Sequence, residues 1–159
     1  MFILTLKLGQ VFIFPAICYD LISKLVLKFP DNEVLSSLTL FLNRLNDEAR
    51  EGALVVVEGR RDASALRGLG FHGPLYLLCH NGSPLRLTTV ASRFKKTILL
   101  TDLDSAGRAL TKRTALLLNA RKRKFDLSFR RQLSIVTKGA VTQVEHLKRY
   151  QEFLLTYSW

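Results

Sequence analysis

The chain has 159 residues, 48% of them hydrophobic and 23% charged, which suits a single globular domain with a real hydrophobic core. Its two cysteines, Cys18 and Cys79, stand far apart with no C-x-x-C pattern and no histidine at metal spacing; this excludes a disulfide framework and a structural zinc, and suits a reducing cytoplasm. The formal net charge of +11 is uneven: 12 basic against 10 acidic residues through Asp104, a net of +2, then 12 against 3 from Ser105 onward, a net of +9. Such a bias suits a polyanionic partner, nucleic acid above all, although a solvated basic face has the same composition.

Residues 1–30, "MFILTLKLGQVFIFPAICYDLISKLVLKFP", form an apolar N-terminal extension. Its longest uncharged run, Leu8 to Tyr19, is 12 residues, short of the roughly 20 that a transmembrane helix needs. It has neither the basic start nor the small-residue cleavage site of a secretory signal. The block reads as an appended strand–helix unit, as a spurious upstream extension, or as a weak anchor; no membrane association is expected. Residues 31–159 read as the single folded domain.

"DNEVLSSLTLFLNRLNDEAREG" predicts an amphipathic helix, capped by Asp31 or Asn32, with Val34, Leu38, Leu42, Leu45 and Ala49 on one stripe and Gly52 at its end. "ALVVVEG" breaks that period and predicts a strand buried on both faces, as in a parallel sheet. A short helix, "RRDASALRGLG", and a second strand, "GPLYLLC", follow. Ser83 and Pro84 then serve as N-cap and first residue of the next helix. "TILLTD" is a third strand, and a long helix runs from Ser105 to about Lys122. "KFDLSFRRQLSIV" holds a short strand and a helix, and "VTQVEHLKRYQEFLL" a closing helix. Strands alternating with helices predict an α/β fold: a small parallel sheet with helices on both faces, three layers deep, preceded by an amphipathic helix. "RKRK" at 121–124 is the one charge run.

Ligands of open parallel sheets bind at the carboxyl ends of the strands. Glu58 ends the first strand there, His80 and Asn81 the second, and Asp102 with Asp104 the third. Side chains two apart on a strand share a face, so the two aspartates project together if the extended geometry persists through Leu103. Taken alone, Asp104 reads as the N-cap of the next helix. Taken together, three carboxylates would repel one another and raise each other's pKa, and a divalent cation removes that problem. Oxygen donors without an imidazole or thiolate favour magnesium or manganese over zinc. Arg60, Arg61, Arg108, Lys112 and Arg113 lie close in sequence and are candidate phosphate ligands.

The pairing of "VVVEGRRDASAL" with "LLTDLDSAGRAL" across one β–α unit resembles the Toprim domain over about residues 53–137. That Rossmann-like catalytic fold is shared by bacterial-type primases, topoisomerases, and nucleases of the lysogenization-defect and ribosomal-RNA-maturation types. In scale the chain is similar to small stand-alone Toprim proteins of archaea. The resemblance implies that Glu58 acts as general acid/base or shared metal ligand, and that Asp102 and Asp104 bind one or two magnesium ions, with manganese as a substitute. Ala106 stands where topoisomerases tend to carry a further acid, a form more similar to primases and nucleases. No room remains for a strand-cleaving tyrosine domain, and a primase zinc domain is absent. The expectation is therefore a magnesium-dependent protein acting on RNA or DNA phosphodiesters, as a nuclease. The alternatives are a non-catalytic magnesium- and nucleic-acid-binding module and, more remotely, an aspartyl-phosphate phosphatase. The phosphatase pattern places Thr or Val where Ala106 stands and needs a downstream acidic pair, whereas Asp126, Glu145 and Glu152 are isolated.

Overall fold

A computed structural model describes residues 4–5, 11–12, 30–80 and 84–157. The chain divides into two compact units, Met1–Asp31 and Asn32–Trp159. In the first, β1 (Leu4–Thr5) and β2 (Val11–Phe12) pair antiparallel, with Leu4 opposite Phe12. The helix expected within 1–30 lies outside the described residues, as do Asn81 and the Ser83 cap. Among the described residues, no helix is long and apolar enough to cross a membrane.

The second unit opens with α1 (Asn32–Arg50), whose buried residues Val34, Leu35, Leu38, Phe41, Leu42 and Leu45 form one stripe at helical spacing. Gly52 stops the helix in the left-handed region, at φ +100°, where a side chain would be strained. The chain then enters β3 (Ala53–Val57), whose five residues are all buried. There follow α2 (Arg60–Gly68), β4 (Leu75–Leu77), α3 (Pro84–Ala91), β5 (Lys96–Leu99), α4 (Ser105–Ala120), β6 (Phe125–Asp126) and α5 (Ser128–Val136). A 3-10 helix (Val144–Tyr150) and α6 (Gln151–Tyr157) end the described chain.

The four strands β3 to β6 form a parallel sheet in the order β4-β3-β5-β6. Strand alternation splits β3 between two cores. Ala53, Val55 and Val57 join α1, Leu66 of α2, Phe129 and Leu133 of α5, and the 3-10 helix. Leu54 and Val56 join Leu87 and Ala91 of α3 and Leu118 of α4 on the other face. Phe41 and Phe129 meet edge-on, with centroids 5.6 Å apart, a favoured aromatic geometry. The fold is thus the expected three-layer α/β arrangement.

The strands β4 and β5 are shorter than the expected "GPLYLLC" and "TILLTD", and two helix boundaries differ from expectation for local reasons. The closing helix is split, because Val144, Leu147 and Tyr150 recur at every third residue and all three are buried. A 3-10 helix, with three residues per turn, aligns them on one line where an α-helix would fan them out. Helix α4 ends at Ala120 rather than near Lys122. Lys122 takes a left-handed φ of 52°, and the Arg123 N–H closes on the Leu118 carbonyl at 2.9 Å, a turn of the kind that ends helices.

Among the described residues, the buried members of the two cores run from Val34 to Tyr150. A chain spanning 31–159 should accordingly give a single cooperative unfolding transition by scanning calorimetry. A broad or missing transition would show that the preceding residues complete the core.

Candidate functional site

The strand order places a topological switch between β3 and β5, since the connection from β3 leads outward to β4 and that from β5 leads the opposite way to β6. Their helices α2 and α4 accordingly pack on opposite faces, which opens a crevice at the carboxyl ends of the two strands. Glu58 follows directly on β3, and Asp102 and Asp104 lie beyond β5.

The extended geometry does not carry through Leu103. The Leu100 N–H still reaches the Val56 carbonyl at 2.8 Å, but the Leu103 N–H turns away to the Thr142 carbonyl at 2.7 Å. Asp102 accepts the Val144 N–H on Oδ1 at 2.8 Å. Asp104 accepts the Gly107 N–H at 2.7 Å, as the N-cap of α4. A bend and a cap, rather than strand alternation, therefore bring the aspartates together.

Glu58 is joined to them through the backbone: its Oε1 accepts the Asp102 N–H at 3.1 Å. Gly107 makes this possible. A Cβ built on it would lie 2.1 Å from the Asp102 carbonyl oxygen and 2.9 Å from Glu58 Oε1, far inside contact distance. One turn on, the Thr111 hydroxyl donates to the Gly107 carbonyl at 2.6 Å and meets the Thr101 hydroxyl, so α4 is held against the β5 exit.

Like charge and burial act together here. Burial raises the Glu58 carboxyl pKa, and Asp102, Asp62 and Asp104 push it the same way. Asp102 is also raised, by burial first and then by Asp104 and Glu145. Asp62, whose Oδ2 accepts the Gly59 N–H at 2.9 Å, is raised chiefly by burial. Facing them, Arg130 donates to the Asp102 carbonyl, and its buried Nε has no hydrogen-bond partner among the described residues. Burial and then the neighbouring Arg108 lower the Arg130 pKa, opposed by Glu58, Asp102 and Asp104. Arg108 donates Nη1 to the Leu103 carbonyl at 3.0 Å.

Of the cations singled out in the sequence, Arg108 stands at the carboxylates, and Lys112 lines a groove with it along α4. Arg113 faces the other flank of α4, with Pro84 and Leu85. Arg61 lies 3.8 Å from Glu145, and Arg60 is exposed at the start of α2. Sequence reasoning missed Arg130, Glu145 and the imidazole of His146, which acts on Asp102 electrostatically. Arg130 beside the buried Phe129 carries no local signal, because its reach depends on how α5 packs.

Each of Glu58, Asp102 and Asp104 commits one oxygen to a backbone N–H. Among the described residues, no three His, Cys, Asp or Glu side chains enclose a metal on their own. The donor set fits a hard cation that takes one or two carboxylates and keeps water and phosphate as its other ligands.

Two substitutions test this arrangement. Gly107→Ala would gain about 1 kcal/mol in an open helix. Here overpacking should cost about 1–3 kcal/mol in chemical denaturation, and an unchanged midpoint would refute the close approach. Because the Glu58 pKa is raised on folding, the stability it contributes is present below its ordinary value and lost as pH rises through the raised one. In chelator, Glu58→Gln should therefore melt above the parent near neutral pH and together with it in acid. A parent that melts higher near neutral pH would reverse the sign.

The chain matches the Toprim domain family over residues 53–132. It is 35% identical to a UPF0292 protein of Pyrococcus abyssi over 103 residues, which cover 64% of this chain and 76% of that one. A UPF0292 protein of Methanocaldococcus jannaschii is 31% identical over 122 residues, covering 75% and 93%. Among solved structures, a protein from Aquifex aeolicus superposes with a TM-score of 0.59 at 25% identity, covering 69% of this chain and 96% of that one. With both acidic motifs inside the matched segment, and small archaeal proteins as relatives, the chain belongs to the Toprim domain family.

Proposed function

We propose that this protein is a magnesium-dependent nuclease acting on RNA or DNA phosphodiesters. The observation that carries the reading is the gathering of Glu58, Asp102 and Asp104 at the β3–β5 switch point, with Arg108 and Arg130 beside them. Asp102 and Asp104 would hold the magnesium, or manganese in its place, since each commits only one oxygen to a backbone N–H. The bound cation supplies charge stabilisation at a phosphate oxygen and at the leaving group. Glu58, its pKa raised, takes the proton of the attacking water or shares the cation. Arg108 and Arg130 hold the non-bridging phosphate oxygens, where guanidinium geometry is best used. Arg60, Arg61, Lys112 and Arg113 contribute to backbone attraction along the flanks. Phosphate contacts carry no base information, so this part of the site treats RNA and DNA alike.

A second reading, a non-catalytic magnesium- and nucleic-acid-binding module, draws on the same carboxylates' structural duties, since each already holds a backbone N–H. Cleavage of labelled RNA and DNA with magnesium, manganese or chelator separates the two. The parent should cleave in either metal and not in chelator; binding without cleavage would favour the module. Asparagine caps a helix about as well as aspartate, so Asp104→Asn should keep its metal-free melting temperature. It should lose magnesium binding by calorimetric titration and lose cleavage. Asp104→Ala should lose about 1 kcal/mol of stability as well. If Asp104→Asn bound magnesium like the parent, Asp104 would be a cap alone and the centre would be wrongly assigned.

A further inference from the structure

Leading away from the carboxylates along α4 is a groove of about 470 Å³ between α4, β6 and the start of α5. Its two ends and its floor differ in chemistry. At the carboxylate end stand Arg108 and Arg130, each already bonded to the backbone of residues 102–103. Lys112 follows one turn on, the apolar part of the lining is Ala115, Phe125 and Leu127, and the exposed Leu116 stands on the rim. Asn119 closes the far end with an amide, and the exposed run Arg121–Lys124 begins just beyond it. Arg108 to Asn119 spans about 16 Å at the helical rise of ~1.5 Å per residue.

A cationic rim over an apolar floor is a poor fit to a duplex, which presents phosphates outward and keeps its base faces stacked inside. It is a good fit to a single strand, whose backbone follows the cations while an unpaired base lies on an aromatic side chain. Phe125 can serve as that surface because β6, among the described residues, pairs with β5 alone, and Phe125 is half-buried and lines the groove. Leu116 is 62% exposed, so it is free to cover the other side of a base. Asn119 can both donate to and accept from a base edge. The volume falls in the range of small-molecule pockets.

We infer that this groove is a subsite for an unpaired nucleotide flanking the scissile phosphate, with its base against Phe125 and Leu116, its backbone on Arg108, Lys112 and Arg130, and its edge at Asn119. The inference rests on the proposed action on nucleic acid, and it names the substrate class as single-stranded RNA or DNA, or the unpaired flank of a duplex.

The test is binding by the full chain in chelator, read by anisotropy of a labelled single strand, of the same strand with abasic positions, and of the blunt duplex. The intact single strand should bind about tenfold more tightly than the abasic strand, the size of one base–aromatic stack. Phe125→Leu keeps the apolar volume and should remove most of that difference, leaving duplex binding unchanged. Leu116→Ala, at an exposed position, removes apolar surface without adding charge; it should do the same and decides the matter if Phe125→Leu folds poorly. Equal binding of intact, abasic and duplex probes, unaffected by either variant, would overturn the subsite while leaving the nuclease reading intact. No binding of any probe, with calcium in place of chelator as well as in chelator, would overturn both.

Discussion

The contact on which the site depends is the approach of Gly107 to the Asp102 carbonyl. It presses the first turn of α4 onto the exit of β5, close enough that any side chain would be expelled. Three consequences follow from that one distance. The Gly107 N–H falls within reach of the Asp104 carboxylate, the Asp102 N–H faces Glu58 across the sheet, and the Thr101–Thr111 hydroxyl contact can close behind them. Glycine is demanded here by close approach rather than by φ, which explains why it sits inside a helix where alanine has the better intrinsic preference.

What this geometry assembles is unfavourable by itself. Glu58, Asp62 and Asp102 are all raised on folding, so as pH rises above the ordinary carboxylate range they oppose the folded state. Asp126 shows the opposite case at the next strand end. There, burial is outweighed by hydrogen bonds from Ser128 and by Lys96, and the pKa is lowered. Asp102 and Asp126 both lie near strand termini. Hydrogen bonds from Ser128, with Lys96 behind them, outweigh burial at Asp126, whereas the single Val144 bond at Asp102 does not outweigh burial and the like charges of Asp104 and Glu145. Stability sacrificed at a half-buried acidic cluster is expected where a ligand, rather than a neighbouring side chain, is to supply the positive charge.

Most of the fold was legible because its signals are local. Five apolar residues in "ALVVV" give a strand buried on both faces, Gly52 gives a helix end, and the alternation of strands and helices gives the parallel sheet. Glu58, Asp102 and Asp104 were legible as residues but not as geometry. Strand alternation was the wrong device, because Leu103 and Asp102 are claimed by the backbone of residues 142 and 144, a partner forty residues away that no local period announces. Arg130 was illegible for the same reason. The split closing helix was legible in principle: Val144, Leu147 and Tyr150 stand at an unbroken spacing of three, which is the 3-10 period and not the α period.

That 3-10 helix also explains why the domain needs residues beyond the matched segment 53–132. With three residues per turn, one side of it is a continuous apolar line, Val144–Leu147–Tyr150, sunk in the core beneath β3. The residues between must then face elsewhere, and the first two, Glu145 and His146, act on Asp102 from behind, while Glu145 also draws in Arg61 from α2. The Val144 N–H, free at the start of the helix, is the group that fixes Asp102. An unsatisfied helix N–H and a carboxylate that must be oriented complete one another. The apolar line sets the depth of the helix, and the depth sets where that N–H points. Packing far from the crevice is therefore what aims one of its carboxylates.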